Sequence, residues 1–256
     1  MKILQTAERV SEHEVSDHYV YARSQKAYQE AAKYISGDLL EIGSGEGYAI
    51  GALSKLVDKY VALDKFKTNS GRYDFPKVEF LQMNFENLSE IKSESYDFII
   101  CFQVLEHIEN DHEFLKQVNR ILRKAGKFIM TTPNKATSLT RNPWHIREYR
   151  VGEMKAILQK HFTTVNMQGV FGDALVKKYY EENKLAVAKY KKWDIFNLEQ
   201  RLPRILLQIP YDLLNRINRK KMAVSSNDLL REMTANNFII GDVNENCLDY
   251  FTISEK

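Results

Sequence analysis

The 256-residue chain predicts an α/β fold, a mostly parallel sheet covered by helices on both faces. Three observations predict it. Apolar strand-like runs alternate with helical patterns from residue 38 to residue 132. A glycine-rich turn, Gly43-Ser44-Gly45-Glu46-Gly47, follows the first run directly. The second run ends in a carboxylate, Asp64, about twenty residues on, where open sheets place a ribose-binding acid.

The elements follow in order. Residues 17–35 carry a helical pattern with Tyr21, Ala27, Ala31 and Tyr34 among its inward positions, closed by Gly37. Strands are expected at 38–43, 59–64, 77–82, 96–104 and 127–132, with helices at 46–56 and 110–123 between them. Beyond Pro133 the pattern loosens into a loop over 142–150, NPWHIREYR, then a helix over 151–160 and a strand over 162–170. Residues 172–236 read as mostly helical, and CLDYFTISE (247–255) as a seventh strand. The favoured division makes 1–170 and 241–256 one domain and 171–240 a helical insertion. A rival assignment makes 229–243 the helix and strand before the last strand.

Composition is that of a globular protein, with 44% hydrophobic and 28% charged residues. MKILQTAERV turns polar too soon for a secretory signal, and no apolar run is long enough for a membrane span. Cys101 and Cys247 sit in apolar strand-like segments as small buried hydrophobes, which points to a reducing cytoplasm. The net charge of +3 is uneven. Residues 172–221 hold twelve Lys or Arg against six Asp or Glu, so the remainder carries −3. His13 and His18 have no Cys or clustered carboxylate at metal-ligand spacing around them, and no metal is expected.

The glycine turn is G-x-G-x-G. Tyr48 stands where a dinucleotide fingerprint has its third glycine, and no G-K-[ST] follows, so a phosphate-cradling loop is excluded. Glu41, two residues before Gly43, would repel a phosphate and favour an ammonium group. Asp64 suits a ribose. These features ask for a ligand with a ribose, a cationic amino acid part and no phosphate. S-adenosylmethionine meets that description.

The chain here resembles the class I S-adenosylmethionine-dependent methyltransferases, in their quinone-type and glycan-modifying branch. LLEIGSGEG, VALD, VEFLQMNFENL, YDFIICFQVLEHIEN and GKFIMTTPN match the family's motifs in order. The resemblance implies a Rossmann-like, seven-stranded sheet and an enzyme that converts S-adenosylmethionine to S-adenosylhomocysteine. It implies a cofactor site from Glu41, Gly43, Ser44, Gly45, Gly47, Asp64 and Lys65. Asn84 and Phe85 are implied beside the adenine, Phe102 and Gln103 on the methionine side, and Tyr21 as part of a helical cover. Methyl transfer mostly needs alignment, plus a base if the acceptor is a hydroxyl. His145 and His107 are the candidate bases. The alternative for His145 is a packing loop in which Arg147 and Glu148 pair.

CFQV (101–104) replaces the [DN]-P-P-[YF] of amino-methylating DNA enzymes, and the signatures of cytosine-5 and arginine methyltransferases are missing. The expected acceptor is a small molecule, glycan or lipid-linked intermediate, methylated on oxygen, with no nucleic acid partner. The weighed alternatives are a nucleic-acid methyltransferase and an inactive cofactor-binding subunit. Leu202, Ile205, Leu206, Ile209, Leu213 and Ile217 share one helical face that Pro210 should kink, flanked by basic residues. That face is read either as a lid packed on the sheet domain or as a peripheral membrane contact through 201–221.

Overall fold

The computed structural model describes residues 10, 12–67, 72–192, 194 and 198–256. Of the MKILQTAERV stretch, only Val10 falls among the described residues. Two compact units emerge. One comprises 27–137, 147–170 and 240–256 and holds the body of the sheet. The other comprises the described residues of 12–26, 138–146 and 171–239 and is mostly helical. The amino-terminal segment and the 138–146 loop thus group with the stretch expected to be an insertion.

The sheet unit is built on β1 (Asp38–Ile42), β2 (Lys59–Asp64), β3 (Val78–Gln82), β4 (Tyr96–Phe102), β5 (Leu122–Pro133), β6 (Thr164–Gly172), β7 (Phe238–Asp242) and β8 (Asp249–Glu255). Their order is β3-β2-β1-β4-β5-β8-β6-β7. The β1–β5 half is parallel, and β8 runs antiparallel between β5 and β6. Among the described residues the sheet has eight strands rather than seven. β7 starts inside the 171–240 segment favoured as a helical insertion and ends beyond it, where the rival assignment of 229–243 has a strand. A five-residue edge strand with a glycine in it, FIIGD, gives little periodicity to read.

Leu39, Leu40, Ile42, Leu63, Ile99, Ile100, Phe128, Ile129 and Met130 are buried, as a parallel sheet covered on both faces requires. The helix α3 (Asp111–Ile121) lays Phe114, Leu115, Val118 and Ile121 into this core, and Asn110 caps its start by accepting from Glu113 N at 3.1 Å. At the opposite end of the strands Arg123 clamps Asp38 (2.7 Å) and Asp97 (2.5 Å). α4 (Val151–Gln159) precedes β6 as expected.

The helix expected over 46–56 shrinks to the single turn α2 (Ile50–Leu53). Gly47 has φ of +72°, which no right-handed helix accepts, and Gly51 weakens the rest. The fourth strand stops at Phe102 rather than 104 because Gln103 takes φ of +56°.

The helical unit contains most of α1 (His18–Ala31), with α5 (Ala174–Lys191), α6 (Leu198–Arg201), α7 (Arg204–Ser225) and α8 (Asn227–Glu232). Within it Arg219 pairs with Asp17 at 3.0 Å, and the Tyr19 and Tyr179 rings pack at a tilt with centroids 4.9 Å apart. α7 runs unbroken through Pro210, so the proline does not split the helix. Pro210 cannot donate to the Leu206 carbonyl one turn back, but Leu206 is exposed, so water can serve that oxygen. Among the described residues no helix is long and apolar enough to cross a membrane.

Candidate functional site

The glycine turn sits at the carboxyl ends of β1 and β2. Gly43 N and Ser44 N both donate to Leu63 O, at 2.8 and 3.1 Å. Gly43, Gly45 and Gly47 have φ of +80°, +54° and +72°, a region L-residues rarely enter. A side chain at Gly43 would also meet Val104 Cγ2 at 2.4 Å, so this glycine brings the turn close to the loop after β4. At Gly45 a Cβ would meet no heavy atom within 4 Å, so its missing side chain leaves the backbone approachable. Ser44 is buried and its Oγ has no hydrogen-bond partner.

Asp64 ends β2 with its carboxylate against this turn. Oδ2 accepts from Gly45 N at 2.9 Å and Oδ1 from Phe66 N at 3.0 Å. Each oxygen keeps a further lone pair, so the carboxylate is fixed in place yet still able to accept from vicinal hydroxyls. Beyond β2, Lys65 bonds Glu86 at 3.0 Å and lies 4.5 Å above the Phe85 ring. Asn84 is exposed, and its Oδ1 accepts from Glu86 N at 3.2 Å to close a turn after β3.

Glu41 is only 2% exposed, and phenols take both of its oxygens: Tyr28 donates to Oε1 at 2.7 Å and Tyr60 to Oε2 at 2.5 Å. Burial pushes its carboxyl pKa up, the two phenol bonds pull it down, and nearby Asp64 pushes it up again. Burial and the Glu41 charge hold both phenols well above their ordinary range. A cationic group reaching Glu41 would share or displace one of these bonds. Tyr28 also packs edge-on against Phe102, with centroids 4.9 Å apart. Gln103 is pinned by its N donating to Thr131 O (2.9 Å) and its Nε2 to Thr131 Oγ1 (3.1 Å).

His107 closes the short 3-10 helix 105–107, half-buried, with its N–H on Val104 O at 2.9 Å. Beside it Glu106 is buried and accepts from Thr132 Oγ1 at 3.0 Å. Arg147 pairs with Asp111, a buried carboxylate of the sheet unit that also accepts from Tyr149 Oη at 2.7 Å.

Tyr21 and His145 belong to the helical unit. Tyr21 is half-buried on α1. Asn142 Oδ1 accepts from Trp144 N at 3.0 Å, which turns its Nδ2 onto His145 Nε2 at 2.8 Å. His145 Nε2 therefore accepts, and the proton of the neutral ring resides on Nδ1.

The structure thus brings together Glu41, Gly43, Ser44, Gly45, Gly47 and Asp64, with Phe102 joined through Tyr28, and separately Lys65 with Phe85. Sequence reasoning missed Tyr28, Tyr60 and Tyr73, whose Oη donates to Gly45 O at 3.1 Å. A signal for Tyr28 existed. It lies seven residues after Tyr21, two turns along the same helix face.

These features fit S-adenosylmethionine. The turn has an approachable backbone at Gly45, an unpartnered buried hydroxyl at Ser44, and a fixed carboxylate with free lone pairs at Asp64. Residues 16–168, more than half of the chain, match the methyltransferase domain family model. A probable S-adenosylmethionine-dependent methyltransferase of Mycobacterium tuberculosis is 32% identical over 164 residues, 60% of each chain. The chain thus spans about 60% of that relative's length. A ubiquinone biosynthesis O-methyltransferase of Rickettsia typhi is 27% identical over 124 residues, 46% of this chain and 48% of its own. An S-adenosylmethionine-dependent methyltransferase of Thermotoga maritima, described as a possible histamine N-methyltransferase, shares the fold with a TM-score of 0.57 at 15% identity, over 93% of this chain and 91% of its own. The chain belongs to the methyltransferase-domain family, among the class I S-adenosylmethionine-dependent methyltransferases.

Proposed function

We propose that this chain transfers a methyl group from S-adenosylmethionine to an oxygen of a small molecule, with glycans and lipid-linked intermediates inside the acceptor range. The observation that carries this is the fixed Asp64 carboxylate against the left-handed glycine turn. When bound, the cofactor supplies an electrophilic methyl on a sulfonium sulfur. Asp64 would accept from its ribose hydroxyls and the Gly43–Gly47 backbone would receive its amino acid part. The negative field of Glu41, held by Tyr28 and Tyr60, favours a cationic amine. Phe102 and Gln103 would flank the methionine side, and Phe85 under Lys65 the adenine side. Asn84 Oδ1, which accepts from Glu86 N, would offer its second lone pair to the adenine amine. The oxygen acceptor is favoured by the likeness to the ubiquinone biosynthesis O-methyltransferase.

A hydroxyl acceptor needs a group to take its proton, and His145 is the first candidate. Its Nε2 would have to exchange the Asn142 amide for the acceptor hydroxyl. His107 is the second. Residues 201–221 would make a peripheral membrane contact, and a reducing cytoplasm suits Cys101 and Cys247, both free and buried. Purified protein should turn over cofactor with a phenol or glycan pool and not with RNA. His145→Ala should lower that turnover about a hundredfold with cofactor affinity unchanged. Full turnover in His145→Ala assigns the proton transfer to His107 or to an acceptor already ionised. Turnover on RNA alone would overturn the small-molecule reading.

A further inference from the structure

The helical unit holds a cavity of about 440 Å³ between α5, α6, α7 and the 138–146 loop. Leu198, Leu202, Leu206, Leu207, Pro210 and Leu214 make its walls predominantly apolar. The polar groups at its edge are committed to one another. Arg141 Nη1 donates to the carbonyls of Glu199, Gln200 and Leu202, its backbone N–H donates to Glu199 Oε1, and Lys191 pairs with Glu199. Trp144 Nε1 donates to Asp212 at 3.0 Å, tying the loop to α7. The rim is braced and the walls are mostly apolar, with two buried acceptors on α7 left to satisfy, Asn215 Oδ1 and Asn218 Oδ1, which suits a mostly apolar ligand over a sugar.

α7 forms one wall of this cavity and turns a second apolar surface outward. Ile205, Ile209 and Leu213 succeed one another at i, i+4 and i+8 and are 78%, 82% and 61% exposed. Arg216 and Lys220 continue the same face. The helix carries five basic residues and a single acid, Asp212, which is bonded to Trp144. An exposed apolar stripe running into cations is the surface of a helix that lies in an anionic lipid interface. Leu206 and Leu214 are exposed while also lining the cavity, so the outer stripe and the cavity share side chains.

The geometry points to a lipid-chain site: α7 seats the helical unit on an anionic bilayer, and the cavity behind it takes one acyl or isoprenoid chain from that surface. This deepens the acceptor class of the proposed methyl transfer and rests on it only for the identity of the acceptor. Charge complementarity selects the occupant. A neutral apolar partner leaves Arg216 and Lys220 without counter-charge, whereas anionic headgroups beside buried chains satisfy both parts of the face.

The test uses the full chain, sedimented with vesicles of phosphatidylcholine alone or mixed with phosphatidylglycerol, at low and high salt. A fluorescent long-chain fatty acid probes the cavity. Binding should favour the anionic vesicles and weaken with salt. Ile209→Glu with Leu213→Glu, both exposed positions, should lower the vesicle-bound fraction about tenfold or more while the melting temperature holds. Leu206→Trp, which fills the cavity mouth, should weaken the fatty acid probe. Equal binding to both vesicle types, no binding at all, or probe affinity unchanged in Leu206→Trp would overturn the inference. Calorimetry of S-adenosylmethionine on the same preparations separates the two readings: intact cofactor binding without lipid binding removes this inference alone.

Discussion

Glu41 places a carboxylate in the buried core of the sheet unit, only 2% exposed. Its burial raises its pKa, and two phenols from α1 and β2 compensate for lost hydration. The folded state therefore binds more protons than the unfolded chain between the ordinary carboxylate range and the raised value. Stability contributed by this site falls as pH rises through that window and does not recover above it. Glu41→Gln removes the penalty. Denaturation of both proteins should show the stability difference moving in favour of the variant as pH rises from about 4 to neutrality. A difference independent of pH would mean that Glu41 is ionised as easily in the fold as outside it. At this scale the sequence was partly legible. Glu41, Asp64 and the glycines follow from local order along one strand–turn–strand segment. Tyr28 from α1 and Tyr60 from β2 reach Glu41, and Tyr73 from before β3 reaches Gly45 O, and no local pattern records where a phenol hydroxyl ends.

Strands buried on both faces announced themselves by continuous apolar runs, and α3 by its apolar stripe and its Asn110 cap. Elements that depend on tertiary support did not. β7 is short and at the sheet edge. α2 is cut short by Gly47, whose left-handed backbone serves the turn before it. Pro210 looked like a breaker because its missing N–H was weighed without knowing that Leu206, one turn back, is exposed. The Asn110 cap allows a direct check on the element α3. Its Oδ1 satisfies an otherwise orphaned N–H, so Asn110→Ala should cost about 1 kcal/mol in chemical denaturation. A loss under a few tenths would show that water replaces the cap freely.

Over the whole chain, charge and architecture agree. The basic excess of 172–221 coincides with the helical unit, while the sheet unit keeps the acids of the candidate site. The sequence placed a boundary near 171 but could not show that residues 12–26 and 138–146 join the helical stretch, because that grouping rests on contacts far apart in the chain, such as Arg219 with Asp17 and Trp144 with Asp212. The central claim concerns the sheet unit: the turn and Asp64 hold S-adenosylmethionine by its ribose. Isothermal calorimetry of S-adenosylmethionine and S-adenosylhomocysteine, with the unmodified chain and Asp64→Ala, tests it. Hydrogen bonds to a charged carboxylate contribute about 1.5–3 kcal/mol each, so the variant should bind both ligands at least about tenfold more weakly while remaining folded. Equal affinity in the two proteins, or no binding by the unmodified chain, would contradict the account.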